Sequence, residues 1–141
     1  MNAEISLLMK TKSELNELSG IIIDAAIEVH RELGPGLLER VYEASLAKEL
    51  RLRGISSVRQ LPQPVIYKGE ELEDEGYKID LLVEDSIIVE LKTVSELLPI
   101  HHAQLLIYLR LSEKKLGLLI NFHVPLLKNG IKRLVHDFPS E

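Results

Sequence analysis

Two carboxylates and a lysine are brought together by a predicted β-hairpin. Asp80 is followed ten residues later by the triplet Glu90-Leu91-Lys92, and the segment between them alternates with a period of two residues. A turn centred on Asp85 would set Asp80 opposite Glu90, and directly opposed side chains lie about 5 Å apart at Cβ. Two carboxylates at that distance repel each other unless a cation lies between them. The pattern therefore predicts a cation site on one face of the hairpin.

Metal-assisted attack on a phosphodiester is the chemistry that suits such a cluster. Mg²⁺ takes oxygen ligands, usually one or two carboxylates together with water and a substrate phosphate. The bound cation polarises the phosphoryl group and lowers the pKa of its water, and a nearby ammonium group stabilises charge in the transition state. The alternative is a Lys–Glu ion pair on a solvated sheet face. Leu82 and Ile88, which share the parity of the acids, argue against it because they indicate that this face is at least half covered.

The proposed register also makes pairs that a structure can test. It pairs Leu81 with Val89, and it sets Lys78 opposite Lys92. The other parity of the hairpin is wholly aliphatic, so we expect that face to lie in the core. Its residues are Ile79, Leu81, Val83, Ile87, Val89 and Leu91.

Length and composition bound the class of protein. A chain of 141 residues, 45% hydrophobic and 28% charged, is typical of one soluble globular domain. It has no cysteine, which excludes disulfides and thiolate chemistry. No apolar run approaches the ~20 residues that a membrane span needs, and the N-terminus lacks the pattern of a signal peptide. We therefore expect a cytoplasmic protein without a membrane partner.

The charge distribution leaves a nucleic-acid surface open. The net charge is −5, but residues 1–75 hold 9 basic and 14 acidic residues, whereas residues 76–141 hold 8 of each. Six basic residues fall in a short stretch near the C-terminus, where they predict either a phosphate-binding patch or a solvated rim. They are Arg110, Lys114, Lys115, Lys128, Lys132 and Arg133.

The order of predicted elements indicates an α/β or α+β sandwich around one sheet. Residues 1–13 form an expected lead-in, and residues 14–141 form a single expected domain. Hydrophobic periodicity and turn residues predict helices at 14–33, 37–53 and 99–111, the hairpin at 80–92, and strands at 57–60, 63–68, 117–122 and 131–136.

Two helices carry further polar side chains in apolar surroundings. Glu39 stands in the first turn of the second helix, where the helix dipole alone favours an acid, and Tyr42 shares its face. His101, Gln104 and Tyr108 form a polar stripe on the third helix. Such a stripe is more often a hydrogen-bonded flank than a site. Because this helix follows the strand that carries Glu90, however, it is expected to aim Gln104 at the cation region.

Taken together, these motifs resemble the GxxExxY protein family, which is grouped with the PD-(D/E)XK nuclease superfamily. The similarity covers about residues 21–137. The motifs are Gly36, Glu39 and Tyr42 as G-x-x-E-x-x-Y, Asp80 with Glu90-Leu91-Lys92, and Gln104 with Tyr108 as Q-x-x-x-Y.

The resemblance implies a restriction-endonuclease-like core with a mixed central sheet flanked by helices. It further implies that Asp80, Glu90 and the Leu91 carbonyl hold Mg²⁺ or Mn²⁺. Lys92, Glu39 and Gln104 would then be catalytic: Lys92 would assist the attack of water, Glu39 would add a carboxylate and Gln104 would orient water or phosphate. The expected substrate-binding residues are Lys78, His101, Tyr108 and Tyr42.

Two functions follow from these expectations. The first is a metal-dependent nuclease that acts on DNA or RNA. The second is a catalytically silent nuclease-like module that binds nucleic acid or a protein partner, which the acidic charge and the few aromatics for base stacking favour. The intact acids favour the enzyme, because a module without catalysis has no physical reason to keep crowded carboxylates. A homo-oligomer remains open.

Overall fold

A five-stranded sheet with helices on both faces forms the body of the protein. The computed structural model describes residues 9–72 and 76–140, so most of the expected lead-in, residues 1–8, lies outside the described residues. The elements in chain order are α1 (Lys12–Leu33), α2 (Glu39–Leu52), β1 (Ser57–Gln63), β2 (Ile66–Tyr67), β3 (Glu70–Glu71), β4 (Tyr77–Val83), β5 (Ile87–Lys92), α3 (Pro99–Ser112), β6 (Leu116–Asn121) and β7 (Ile131–Val135), with a 3₁₀ turn at Leu127–Gly130.

The sheet is mixed. Its strand order is β1-β4-β5-β6-β7, and β2 with β3 forms a separate hairpin. β5 and β6 are parallel because α3 crosses between them, and the other neighbours in the sheet are antiparallel. The expected mixed sheet flanked by helices is confirmed.

One face of the sheet is covered by α1 and α2. Thr11 caps α1 by accepting from the N–H of Glu14, whose carboxylate accepts from the N–H of Thr11 in return. Gly34 ends the helix with φ 70°. The inward side chains of both helices pack on the odd-numbered residues of β5 and the even-numbered residues of β6, among them Ile22, Leu46, Leu50, Val89, Leu91, Leu118 and Ile120.

The opposite face is covered by α3. Leu105 and Leu109 of this helix pack on Leu82, Ile88 and Leu119. The approach is close at Gly117, where a Cβ atom would lie 2.9 Å from Leu105 Cδ1. The face that carries Leu82 and Ile88 is therefore buried, as the sequence indicated.

The hairpin register is confirmed over its closed end. Leu81 pairs with Val89, and the pairing extends no further toward the open end among the described residues. The expected pairing of Lys78 with Lys92 was wrong, because the ladder between β4 and β5 ends at Leu81 and Val89. On its other side, β4 continues to pair with β1 as far as Lys78 and beyond. Ile79 also departs from its expected face.

Where β4 and β5 separate, Ile79 packs in the cluster under α3, whereas Leu81 packs under α1 and α2. The alternation of side chains between the two faces of the sheet is therefore interrupted at Asp80. The predicted separation of strands 57–60 and 63–68 was also wrong, because β1 runs without a break from Ser57 through Pro62 to Gln63. β1 is an edge strand, where a residue without an N–H is tolerated.

Candidate active site at the open end of the hairpin

The site begins where the backbone ladder between β4 and β5 stops. The backbone N–H of Asp80 donates to Glu90 Oε1 at 3.2 Å. The backbone N–H of Leu91 donates to Asp80 Oδ2 at 2.9 Å. Each carboxylate thus binds the opposite strand, and the two acids replace the backbone pairing at this level of the sheet. The structure therefore places Asp80 and Glu90 together.

Burial keeps Glu90 in its neutral form. Its side chain is 6% exposed. Desolvation, followed by the charge of Asp80, raises the pKa of Glu90 to about 9, while Lys92 acts in the opposite direction. Without a cation, Glu90 therefore retains its proton at neutral pH. A cation that binds both oxygens would have to displace that proton.

Glu39 and Lys92 lie at the rim of the same site. Glu39 is solvent-exposed at the start of α2, yet desolvation by the neighbouring protein raises its pKa. The charge of Asp80 adds to this rise, whereas Lys92 and the backbone N–H of Thr93 lower the pKa. Lys92 is half-buried at the end of β5. Glu39 therefore shares one electrostatic environment with Asp80 and Lys92 at the open end of the hairpin.

The polar stripe of α3 faces this environment. Burial raises the pKa of Tyr108 to about 12, and the charges of Glu90 and Asp80 add to the rise. Desolvation lowers the pKa of His101, and Lys92 lowers it further. His101 Nδ1 also accepts from the backbone N–H of Leu98 at 2.9 Å, so this side chain caps its helix. Gln104, half-buried, lies one turn from each of the other two.

Tyr42 does not fit the substrate contact expected of it. Its side chain is fully buried, and its ring stacks on Phe122 with centroids 4.4 Å apart. Its hydroxyl donates to the Gly34 carbonyl and accepts from the Leu37 N–H at 3.1 Å. Tyr42 therefore fixes the loop before α2, which carries Glu39. Lys78 is exposed beside a cleft lined also by Pro62 and Tyr77.

Two residues of the site were missed in the sequence. Glu43, one turn after Glu39, is 4% exposed and binds Arg59 at 2.9 Å. Gln60 of β1 donates to both Glu43 and Asp80. The sequence did offer a signal for Glu43, because this acid lies on α2 between the core residues Tyr42 and Leu46. Nothing in the pattern of β1 identified Gln60.

The six basic residues near the C-terminus do not form one patch. Lys114 binds Asp85 at 3.0 Å, at the closed end of the hairpin. Arg133 donates to Asn16 of α1, whereas Leu134 packs under α3. Because neighbours on a strand point to opposite faces, Lys132 lies on the α3 face and Arg133 on the other. The basic residues therefore lie on different surfaces, which argues against a single phosphate-binding patch.

The oxygen donors at the site fit a hard divalent cation only in part. Within residues 9–72 and 76–140, no group of three or more His, Asp or Glu side chains is arranged to hold a metal ion. Two adjacent carboxylates remain, Asp80 and Glu90, and desolvation together with the charge of Asp80 raises the pKa of Glu90. Mg²⁺ is commonly bound by one or two carboxylates, with water and phosphate completing its shell. The pair fits that pattern.

Comparison with known proteins supports a nuclease relationship. A family model described as the PD-(D/E)XK nuclease superfamily matches residues 16–134. No curated protein and no solved structure matches the chain. No helix in the described part of the chain is long and apolar enough to cross a membrane.

Proposed function

Because the chain belongs to the PD-(D/E)XK nuclease superfamily, we propose that it hydrolyses phosphodiester bonds in DNA or RNA with Mg²⁺ or Mn²⁺. The mixed sheet flanked by helices is consistent with the restriction-endonuclease-like fold of that superfamily. The observation that best supports the proposal is the contact of half-buried Asp80 with buried Glu90, with Lys92 two residues further along β5. We also assign the chain to the GxxExxY family within the superfamily, on the motifs that begin at Gly36.

In this proposal, the Asp80 and Glu90 carboxylates and the Leu91 carbonyl hold the cation. When bound, the cation polarises the phosphoryl group and makes its water a better nucleophile. Lys92 contributes a fixed ammonium charge that stabilises the negative charge of the transition state.

The residues around the pair have supporting roles. Glu39 adds negative charge at the rim, where it attracts the cation and accepts a proton from water. Gln104 orients water or phosphate from α3, and His101, Tyr108 and Lys78 line the approach of the substrate. We place this function in a single domain at residues 14–141, preceded by the lead-in 1–13, in a cytoplasmic protein.

One observation favours the silent module. The described residues do not gather a third acid with Asp80 and Glu90 into a metal-binding group. A module of this kind would keep the proton on Glu90 at neutral pH and bind its nucleic acid or protein partner without a metal ion. The two functions therefore differ in their dependence on divalent cations.

A matched pair of variants on one hairpin tests the nuclease. Asp80→Asn removes a charged ligand at the open end, whereas Asp85→Asn makes the same change at the exposed turn of the closed end. Labelled single- and double-stranded DNA and RNA are incubated with each protein and with Mg²⁺, Mn²⁺ or a chelator. We expect cation-dependent cleavage by the wild type and Asp85→Asn, and a loss of at least about 100-fold in Asp80→Asn. Equal cleavage by both variants would contradict the assignment.

If the wild type cleaves no substrate, yet binds nucleic acid or a protein equally well with the chelator, the module is the better account.

A further inference from the structure

Gln60 has an unusual backbone for its place in the sheet. It lies inside the edge strand β1, and its φ of 52° falls in the left-handed region. Residues other than glycine, asparagine and aspartate rarely adopt that region. Its neighbours keep the register with β4, since Arg59 pairs with Leu81 and Leu61 with Ile79. Gln60 itself is not paired. Such local strain persists only where the surroundings enforce it, and it is concentrated at functional sites.

The side chain of Gln60 connects two acids that come from different elements. Its Nε2 donates to Glu43 Oε1 at 2.6 Å and to Asp80 Oδ1 at 3.2 Å. A primary amide has two N–H donors, so one nitrogen can serve both acceptors. In both bonds the amide nitrogen is the donor and a carboxylate oxygen is the acceptor.

Glu43 gives this amide a fixed anchor. The carboxylate is 4% exposed, and its second oxygen accepts from Arg59 Nε at 2.9 Å. Both of its oxygens are thus bound. At the other end, the second oxygen of Asp80 accepts from the Leu91 N–H. A continuous chain of hydrogen bonds therefore runs from β1 and α2 through Gln60 to Asp80 and β5.

We propose that Gln60 is the positioning residue for the Asp80 carboxylate, and that its left-handed backbone is retained because it aims the amide between Glu43 and Asp80. This proposal rests on the proposed function, in which Asp80 is a cation ligand, and it adds the residue that orients that ligand. An extended Gln60 would send its side chain along the normal alternation of β1. With one oxygen on Gln60 and the other on Leu91, the Asp80 carboxylate has a single orientation.

Gln60→Gly separates positioning from structural support. Glycine adopts φ 52° without steric cost, which offsets part of the stability lost when the buried Glu43 oxygen is left without its Gln60 partner, so the melting temperature should fall only slightly. Glu113→Gly is the matched control, because Glu113 also has a left-handed φ, 59°, at the C-terminal cap of α3 beyond the site. Gln60→Asn is the second variant. Asparagine tolerates this backbone, but its side chain is one methylene too short to bridge both acids.

Two readouts report on Asp80 directly. In both Gln60 variants, hydrogen exchange of the Leu91 amide should accelerate by about 10-fold or more beyond any acceleration shared by the other amides of β5 and β6. The dissociation constant for Mn²⁺ should rise about 10- to 100-fold, as for other residues that orient a metal ligand. Glu113→Gly should change neither quantity. Wild-type exchange and Mn²⁺ affinity in Gln60→Gly and Gln60→Asn would overturn the proposal.

The two failures can be told apart. If the wild type itself neither binds Mn²⁺ nor cleaves nucleic acid, the proposed function fails. The exchange rate of Leu91 then decides the role of Gln60 alone: faster exchange in the variants supports positioning, and unchanged exchange rejects it.

Discussion

Asp80 and Glu90 bind each other's strands: Glu90 accepts from the backbone N–H of Asp80 at 3.2 Å, and Asp80 accepts from the N–H that follows Glu90 at 2.9 Å. The backbone ladder can therefore end here without leaving these two N–H groups unpaired. In return, the buried carboxylate of Glu90 lies beside the half-buried carboxylate of Asp80. The resulting charge repulsion is relieved either by a proton or by a cation, and this choice underlies the predictions below.

The first prediction concerns stability as a function of pH. Burial and then the charge of Asp80 raise the pKa of Glu90 to about 9, so the folded protein holds a proton that the unfolded chain releases near pH 4.5. Between these values the native state binds more protons, and its stability must fall as the pH rises, by up to about 1.4 kcal/mol per pH unit. Below pH 4.5 this contribution is fully present.

Glu90→Gln should abolish that slope, because glutamine keeps the shape and cannot ionise. Urea unfolding is measured at several pH values between 5 and 8.5 in the absence of divalent cations. As the pH rises, the free energy of unfolding of the variant should increase relative to that of the wild type. Glu71→Gln, an exposed change on β3, is the control. Parallel curves for the wild type and Glu90→Gln would show that Glu90 is ionised in the folded protein.

The second prediction separates cation binding from chemistry. Lys92→Met removes the ammonium group and leaves Asp80 and Glu90 in place, so Mn²⁺ should bind at least as tightly while turnover falls by about 100-fold or more. Calorimetric titration and single-turnover cleavage measure the two effects. Lys115→Met, at the other end of the sheet next to β6, should leave both unchanged. Full turnover in Lys92→Met would make Lys92 only a partner of the acids.

The third prediction concerns Glu39, which a helix dipole alone could explain. Dipole complementarity is worth at most about 1 kcal/mol at an exposed first turn. Desolvation and the charge of Asp80 raise its pKa, which indicates that Glu39 belongs to the site. Glu39→Gln should therefore lower cation-dependent turnover and change the free energy of unfolding by less than about 1 kcal/mol. Unchanged turnover would leave only the dipole role.

Gln104→Ala should give a milder loss of turnover than Glu39→Gln, because an amide that orients water contributes less than a charged group.

The fourth prediction assigns Tyr42 to the scaffold. Tyr42→Phe removes a hydroxyl that bonds the backbone of Gly34 and Leu37, and this should lower the free energy of unfolding by about 1 to 3 kcal/mol. The KM for nucleic acid should not change, because the ring lies buried against Phe122. A raised KM with an unchanged free energy of unfolding would show instead that the Tyr42 hydroxyl contacts the substrate.

The fold was largely predictable from the sequence because hydrophobic periodicity determines which faces are buried. The closed end of the hairpin followed from the alternation around Asp85, and the mixed sheet was confirmed with its flanking helices. The open end was not predictable to the same degree. There the carboxylates replace backbone pairing, Ile79 changes face and Lys78 does not pair with Lys92.

The site was predictable where acids interrupt an apolar pattern, as Asp80 and Glu90 do. Gln60 escaped because its role depends on a left-handed backbone inside a strand, and a glutamine carries no sequence signal for that conformation. Tyr42 was misassigned because a tyrosine on the face of a helix looks the same in sequence whether its hydroxyl meets a ligand or the backbone.

Line broadening by Mn²⁺ in the amide spectrum tests the central claim most directly, because a paramagnetic ion removes the signals of nuclei near it. Substoichiometric Mn²⁺ should broaden the amides of Asp80, Glu90 and Leu91 first and leave that of Ser86, at the closed end of the hairpin, sharp. Below pH 9, each rise of one pH unit should lower the Mn²⁺ concentration needed for this broadening by about tenfold, since binding releases the proton of Glu90. Broadening centred elsewhere, or none at saturating Mn²⁺, would contradict a cation site at the Asp80–Glu90 pair.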